Sequence, residues 1–473
     1  MSAKVEAELR AGEKGAGTLL SRGAKVYFIG IGGIGMSALA RVLLADGYQI
    51  SGSDLKASSI INELVLAGAK VRIGHHHSYL PADTDLVVVS SAIGEDNPEL
   101  QAARELNLPV IKRGQLLALL MKNKKGIAVA GAHGKTTTSS MIARILQAWG
   151  ADPTILLGGQ PQDSGTNGEL GLGEYLVAEA DESDGSFLLL SPWVTVVTNI
   201  EADHLDYYRS LDTIEEAFRR FLSQTRPGGF AVLCADDGVV ARIARHCQVP
   251  HFLYGIDAEA DYVARNLEFA PSKSRCDVYY HGDLIGDLEL SLRGRHNIAN
   301  ALAAVTVAHR LGVPFSVARE SLALFKGVKR RYHRIGVARG VTVIDDYAHH
   351  PTEIRMVLLA ARQDSPRRVI AVFQPHRYSR TAYLYREFGK AFDQADIVIV
   401  TDVYGAGEKP MAGVSGELVW KAIKENGHPS AYYIPELGQV APYLRDNCQA
   451  GDMVLTLGAG DVYTVGKEFL EMN

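Results

Sequence analysis

Short apolar runs recur along the chain, each ending in glycine or an acid and followed by a stretch with the spacing of an amphipathic helix. That alternation predicts parallel strands joined by crossover helices. The first series has strands at Lys25–Ile29, Gln49–Ser53, Val71–Ile73, Leu86–Ser90 and Val110–Ile111, with a helix from Met36 to Asp46. The polar run Met121-Lys122-Asn123-Lys124-Lys125 interrupts it and predicts a first domain boundary. A second series opens with the strand Ile127–Ala130 and a helix over Ser139–Trp149, then continues with strands at Tyr175–Ala178, Val194–Thr198, Ala231–Cys234 and His251–Tyr254. From Asp261 to Leu292 the pattern changes to short alternating segments, Cys276–His281 and Leu288–Leu292, which predict a small antiparallel flap. A helix around Asn297–Leu311 follows, and a second boundary falls near Gly327. Strands at Val341–Asp345, Val369–Phe373, Ile397–Thr401 and Met453–Leu457 make a third series. The expected fold is α/β in three domains, residues 1–121, 122–327 and 328–473, the outer two Rossmann-like.

A length of 473 residues suits three domains, and 47% apolar with 22% charged residues is the balance of a globular enzyme. The formal charge of −5 argues against general affinity for nucleic acid, and the basic cluster Lys329-Arg330-Arg331 is local. Cys234, Cys247, Cys276 and Cys448 are far apart with no C-x-x-C spacing, so the expectation is reduced thiols and neither zinc nor disulfides. Met1–Gly23 is polar and no apolar run is long enough to span a bilayer. The expected location is cytoplasmic, with no membrane partner.

The most specific signal is Val129-Ala130-Gly131-Ala132-His133-Gly134-Lys135-Thr136-Thr137-Thr138. A strand runs into a glycine turn whose N–H groups can face phosphate oxygens, and then into a helix whose N-terminus favours an anion. Lys135 would reach the terminal phosphates and Thr136 would ligate magnesium, which predicts a central P-loop ATPase domain. The usual loop is G-x-x-x-x-G-K-[ST]; here Val129 stands where its first glycine would be, so the loop is a shortened variant. An ordinary glycine turn before a threonine-capped helix is the bland alternative.

Gly30-Ile31-Gly32-Gly33-Ile34-Gly35, after a strand and before a helix, fits G-x-G-x-x-G, and Asp54 ends the next strand where a dinucleotide site places its ribose-binding acid. An NAD-dependent oxidoreductase using these residues would leave the second loop unexplained. Two later strands deliver Glu179-Ala180-Asp181-Glu182-Ser183-Asp184 and Asn199-Ile200-Glu201-Ala202-Asp203-His204-Leu205-Asp206 to the sheet edge where ligands bind. Acids and a histidine beside a phosphate loop suggest divalent metal and phosphoryl transfer, although spacing does not say which acid holds metal. Arg293–Asn300 opens a helix with many hydrogen-bonding groups, which also suits a capped surface helix. Asp345–Pro351 and Gln374–Arg380 end strands in the third series, and the paired Arg377 and Arg380 suit a carboxylate or phosphate. His75-His76-His77 has no acid or cysteine at ligand spacing and reads mainly as a polar loop.

The motifs Gly131–Thr138, Glu179–Asp184, Asn199–His204, Gly294–Asn297, Arg330-Arg331 and Asp346–Pro351 occur in the order found in the Mur ligases, and the chain resembles that family over almost its whole length. The resemblance implies a domain for a UDP-sugar, a central ATPase and a C-terminal domain that closes over ATP and brings the amino acid. By it, Gly30, Gly32, Gly33, Ile34, Gly35 and Asp54 hold the UDP diphosphate end, not a dinucleotide. Gly131, Ala132, His133, Gly134, Lys135, Thr136 and Thr137 hold ATP phosphates, His296, Asn297 and Asn300 approach adenine, and Arg331 and Asp346 reach ATP from the third domain. Lys135, Glu179, His204, Arg377 and Arg380 are the implied catalytic residues. Thr136 and Glu179 hold one Mg2+ and His204 a second, with Mn2+ as a substitute; Tyr347, His349, Arg377 and Arg380 line the amino-acid site. Relatives adding later residues resemble one another in a carbamylated lysine, and here no lysine lies between Lys135 and Lys273. That points to the branch joining L-alanine to UDP-N-acetylmuramate, with the branch that recycles an intact tripeptide as alternative, and Glu182–Phe187 looks more like the former. Ala132 stands where many relatives have threonine. A monomer or weak homodimer is expected. A nucleotide-gated binding module without turnover is the remaining alternative.

Overall fold

The computed structural model describes residues 21–472; residues 1–20 of the polar leader and the side chain of Asp206 lie outside them. By internal contacts the chain forms two compact units, one of residues up to Val263 with Val278–Gly286 and Asn300–Leu322, the other of Ala264–Asp277, Asp287–Ala299 and Ala323 onwards.

The first unit carries two doubly wound sheets. In one, the strands lie in the order Lys70–Ile73, Gln49–Asp54, Lys25–Ile29, Leu86–Val89, Val110–Lys112, all parallel. In the other, Lys125–Ala130 is flanked by Tyr175–Glu179 and Val194–Val197; Thr154–Leu156 lies outside Tyr175–Glu179, while Phe230–Cys234 and His251–Gly255 extend the opposite side, again all parallel. The order therefore reverses beside Lys25–Ile29 and beside Lys125–Ala130, and each glycine loop leaves its sheet at that switch point. Ile127, Val129 and Ala130 are fully buried because helices cover both faces, which is why these strands read as unbroken apolar runs. The flap is the meander Tyr262–Ala270, Lys273–Tyr280 and Asp283–Leu290, whose two-residue connections only antiparallel neighbours can have.

The second unit holds a mixed sheet in the order His333–Ala338, Val341–Asp346, Met453–Leu457, Val369–Phe373, Ile397–Val400, Ala431–Tyr433, antiparallel only at the first pair. Apolar clusters led by Phe373, Phe388 and Phe392 on one face and by Val440, Leu444 and Phe469 on the other sandwich it.

Several bounds differ from the sequence pattern. The phosphate-loop helix is Lys135–Ala148, starting earlier than its apolar periodicity because hydroxyls make its first turns: Ser139 Oγ donates to Lys135 O and Ser140 Oγ to Thr136 O. The run Met121–Lys125 belongs mostly to a helix, Arg113–Lys122, and the next strand, leaving only Asn123–Lys124 between them. The short strands Thr154–Leu156, Gly168–Glu169, His333–Ala338 and Ala431–Tyr433 had no distinct pattern of their own. All four cysteines are free, and no helix among the described residues is long and apolar enough to cross a membrane.

The two sheets of the first unit are locked at the first glycine loop. The buried Asn167 donates from Nδ2 to Ile34 O at 2.5 Å and to Ser37 Oγ at 3.1 Å, tying the edge of the second sheet to the helix Ile34–Ala45. A Cβ on Gly168 would lie 2.4 Å from Ala38 O, 2.7 Å from its Cα and 2.9 Å from its carbonyl carbon, all backbone. Gly168→Ala is therefore expected to destabilise the first unit by about 2 kcal/mol through overpacking that no rotamer relieves; an unchanged thermal unfolding midpoint would contradict this packing.

Candidate active site

The first glycine loop is shaped by its neighbours on the strand Gln49–Asp54. Gly30 and Ile31 donate their N–H groups to Ser53 O, and Gly32 N donates to Asp54 Oδ2 at 2.9 Å. A side chain at Gly32 would meet that same oxygen at 2.9 Å, so glycine is what lets the carboxylate approach. Gly33 caps the helix without a side-chain bond, so no side chain occupies the helix N-terminus, where an anion could be held. His75, in the polar loop beyond, bonds to Ser53 Oγ at 3.0 Å and to the fully buried Glu99 at 3.2 Å.

The second loop is pinned from the end of Val194–Val197. Thr198 Oγ1 donates to His133 O at 2.6 Å, His133 N donates to Asn199 Oδ1 at 2.8 Å, and Ala132 N donates to Asn199 O at 3.2 Å. Gly131 and Gly134 both adopt positive φ, 136° and 82°, and a Cβ on either would strike Thr198 Oγ1 at 2.2 Å or Asn300 Oδ1 at 2.5 Å. Asn300 thus lies against the loop, where its Oδ1 also accepts from Thr138 Oγ1 at 3.2 Å.

Lys135 Nζ lies 2.7 Å from Glu182 Oε1, 2.5 Å from Gly131 O and 3.4 Å from Ala132 O. Burial works to lower the pKa of this ammonium, but Glu182, then Asp181 and Glu179, raise it overall, so it stays charged. Glu182 is pushed up by burial while Lys135 pulls it back. Asp181 is held below its ordinary range: burial is the largest single influence and opposes this, but Arg113, bonded at 2.8 Å, together with Ser183 and Lys135 outweighs it. Glu179 Oε1 accepts from Gly158 N at 2.6 Å. His204, in the left-handed region at φ 55°, puts Nε2 3.5 Å from Asp203 and 4.0 Å from Glu182 Oε1. Thr136 is buried in the first helical turn.

Glu182 and Asp203, 4.0 and 3.5 Å from His204 Nε2, are donors of the kind a divalent cation takes, and Glu182 Oε2 is buried with no hydrogen-bond partner. Arg113 links the two loops: its side chain packs against Gly35, where a Cβ would lie 3.1 Å from Cδ, while Nη2 bonds Asp181. Neither Arg113 nor Gly158 carried a signal in the sequence.

In the second unit, His296, Arg331 and Asp346 gather around Glu353. Arg331 Nη1 lies 3.4 Å from Glu353, whose other oxygen accepts from the N–H groups of His349 and His350. Burial, reinforced by Arg331, pushes His296 down to about 4, and burial opposed by Arg331 pushes Asp346 up to about 7. Asp346 accepts from Tyr332 N at 2.6 Å and Ala348 N at 2.7 Å, so much of its role is to shape the turn. Asn297 spends its amide on Arg293 O at 2.6 Å.

A second group continues from Tyr347, whose ring lies under the guanidinium groups of Arg330 and Arg331 at 5.0 and 5.2 Å. Tyr347 contacts His349 edge-on at 5.3 Å, His349 contacts His376 at 5.7 Å, and the buried Arg380 donates to His376 Nδ1 at 3.3 Å. Burial first, then the neighbouring His349 and arginines, push His376 down to about 3. Arg377 stands at φ 69° and ψ 137°, a region nearly reserved for glycine, and donates its N–H to Tyr404 O at 2.8 Å. The sequence placed His376 in a polar cluster without a role; Glu353 and Tyr404 had no signal.

Comparison with known proteins places these features in one family. Three family models match in order: Mur ligase family, catalytic domain, over residues 25–125; Mur ligase middle domain over 129–308; and Mur ligase, glutamate ligase domain, over 330–460. A UDP-N-acetylmuramate–L-alanine ligase of Desulforamulus reducens is 49% identical over 96% of this chain and 98% of its own length. One from Pelotomaculum thermopropionicum is 49% identical over 94% and 97%. The crystal structure of a UDP-N-acetylmuramate-alanine ligase from Thermotoga maritima matches with a TM-score of 0.82 at 31% identity, over 95% of this chain and 98% of that one. That of a murein peptide ligase from Psychrobacter arcticus matches with a TM-score of 0.74 at 25% identity, over 95% and 98%. The chain belongs to the Mur ligase family.

Proposed function

We propose that this chain is an ATP-dependent ligase that joins L-alanine to the lactyl carboxylate of UDP-N-acetylmuramate, releasing ADP and phosphate, the first amino-acid addition to the peptidoglycan precursor. The observation that carries the reading is Arg113, packed on the first glycine loop and bonded to Asp181 beside the phosphate-loop lysine. One side chain thereby fixes the distance between the place for a sugar nucleotide and the place for a triphosphate. Alanine is favoured over an intact tripeptide as acceptor because, among solved structures, the alanine ligase matches with a TM-score of 0.82 at 31% identity, against 0.74 at 25% for the murein peptide ligase, and alanine ligases at 49% identity match almost the whole chain. A dinucleotide role for Gly30–Gly35 is less well supported, since Asp54 turns a carboxylate oxygen to Gly32 N.

In this reading residues 1–121 take the UDP-sugar, 122–327 ATP and 328–473 alanine. The lactyl carboxylate attacks the γ-phosphorus in line, ADP leaves, and an acyl phosphate forms on the sugar. The amine of alanine, having given up a proton, then attacks the acyl carbon and expels phosphate, and the new amide nitrogen releases a second proton to water. Lys135 and the N–H groups of Gly131 to Thr137 neutralise and orient the phosphates. Magnesium, held by Thr136 and Glu179 with a second ion at His204, would supply charge neutralisation between the phosphates and the carboxylate, and manganese has the same donor preferences. His296, Asn297 and Asn300 are assigned to adenine, Arg331 and Asp346 to ATP from the C-terminal domain. Tyr347 and His349 line the amine side, and Arg377 and Arg380 hold the alanine carboxylate. Burial keeps His376 neutral, so it accepts from Arg380 and aims it. We further infer a cytoplasmic enzyme, monomeric or weakly dimeric.

Lys135→Ala is expected to retain binding of UDP-N-acetylmuramate in calorimetry and to lose about 10³-fold in phosphate release; turnover near the wild-type rate would remove Lys135 from the mechanism. Arg377→Gly should relieve backbone strain of order 1–3 kcal/mol, leaving the thermal midpoint equal or higher. The KM for alanine should meanwhile rise about tenfold or more, as expected for a lost carboxylate anchor. A lowered midpoint with unchanged KM would reverse that assignment.

A further inference from the structure

The ammonium of Lys135 has three N–H donors, and three protein acceptors surround it: Glu182 Oε1, Gly131 O and Ala132 O. A phosphate can be reached only if one of these is given up. The carboxylate is the partner a phosphate replaces most directly, since both are anions, whereas the two carbonyls belong to the loop that must cradle the phosphate. Glu182 itself is 4% exposed and its backbone is fixed by Tyr208, whose hydroxyl donates to Glu182 O at 2.6 Å. Its Oε2 already has no hydrogen-bond partner. Parted from Lys135, it would be a buried anion with neither oxygen compensated, a condition that interiors do not sustain. A group able to share a counter-ion is His204, with Nε2 4.0 Å from Oε1. Donor atoms each about 2.1 Å from one magnesium lie roughly 3 to 4 Å apart, so this separation suits joint ligation.

We infer that Glu182 is a positioning residue with two successive partners: it holds the Lys135 ammonium at the phosphate loop, and when a triphosphate draws the lysine away, its carboxylate joins His204 on a divalent cation. The inference rests on the nucleotide reading of the loop given above. It gives one residue opposite effects on two ligands. Glu182 competes with nucleotide for Lys135 and assists the cation, so nucleotide and metal bind best together and nucleotide alone binds poorly.

The test is Glu182→Gln in the full chain, with two binding measurements. Calorimetry with adenylyl imidodiphosphate in EDTA reads nucleotide alone, and paramagnetic resonance of free Mn2+ in the presence of that analogue reads the cation. The variant is expected to bind metal-free analogue about tenfold tighter than the wild type, since its neutral amide no longer competes for the ammonium. Its Mn2+ affinity is expected to fall by about 10- to 100-fold, the usual loss for a ligand or its support. Weaker or equal binding of metal-free analogue, or an unchanged Mn2+ titration, overturns the inference. Should the Gln variant be insoluble, Glu182→Asp keeps the charge one methylene further back: tighter metal-free analogue with weaker Mn2+ supports the two-partner role, and an unchanged Mn2+ titration removes it. If the wild type itself ignores the analogue in the presence of Mg2+, the nucleotide reading falls and takes the inference with it; wild-type binding with unresponsive variants defeats the inference alone.

Discussion

A buried ammonium stays charged only where carboxylates surround it, and clustered carboxylates stay ionised only where cations or N–H groups answer them. The site of this protein is organised by that mutual requirement. Strand Tyr175–Glu179 delivers three acids within a few residues, and each has its own donor: Gly158 N for Glu179, Arg113 for Asp181 and Lys135 for Glu182. The distribution leaves the Lys135 ammonium folded back on its own glycine loop, bonded to Gly131 O and Ala132 O as well as to Glu182. Removing any single donor would unbalance the rest, because the carboxylates raise the lysine together.

The same economy of contacts fixes the geometry between the two glycine loops. Two parallel sheets each reverse strand order at a glycine loop, the place where folds of this kind hold anionic ligands without any specialised side chain. Bringing the two sites together needs specific packing, and Asn167, Gly168 and Arg113 supply it. Asn167 and Gly168 seat the edge of the second sheet on the helix behind the first loop, and Arg113 spans from that loop to the acids of the second. In the other unit, Arg377 is held in a strained backbone conformation beside an arginine and a neutral histidine, the kind of strain a fold maintains where a side chain must point one way.

The strand-turn-helix units were legible in the sequence because fully buried parallel strands are continuous apolar runs and glycines mark where the backbone turns at the switch points. Lys25–Ile29, Val369–Phe373 and Met453–Leu457 have the bounds expected of them. Edge strands of two or three residues, such as Gly168–Glu169, are too short to show a period. The second glycine loop, between the strand Lys125–Ala130 and the helix Lys135–Ala148, was legible because backbone chemistry constrains residue type at each step. The partner of Lys135 was not, since Glu179, Asp181 and Glu182 follow one strand and spacing does not say where each side chain turns. Arg113 lies in a different sheet's connection, so only the folded chain brings it to Asp181. Asp54 was legible as an acid at the first loop, but its bond to Gly32 N depends on how closely a glycine lets it approach.

The most direct measurement is phosphate released from ATP by the full chain with UDP-N-acetylmuramate and Mg2+, comparing L-alanine with an intact tripeptide as the acceptor. The account predicts rapid release with L-alanine and background release with the tripeptide or with no acceptor. Release driven by the tripeptide and not by L-alanine, or no release with either, would contradict it.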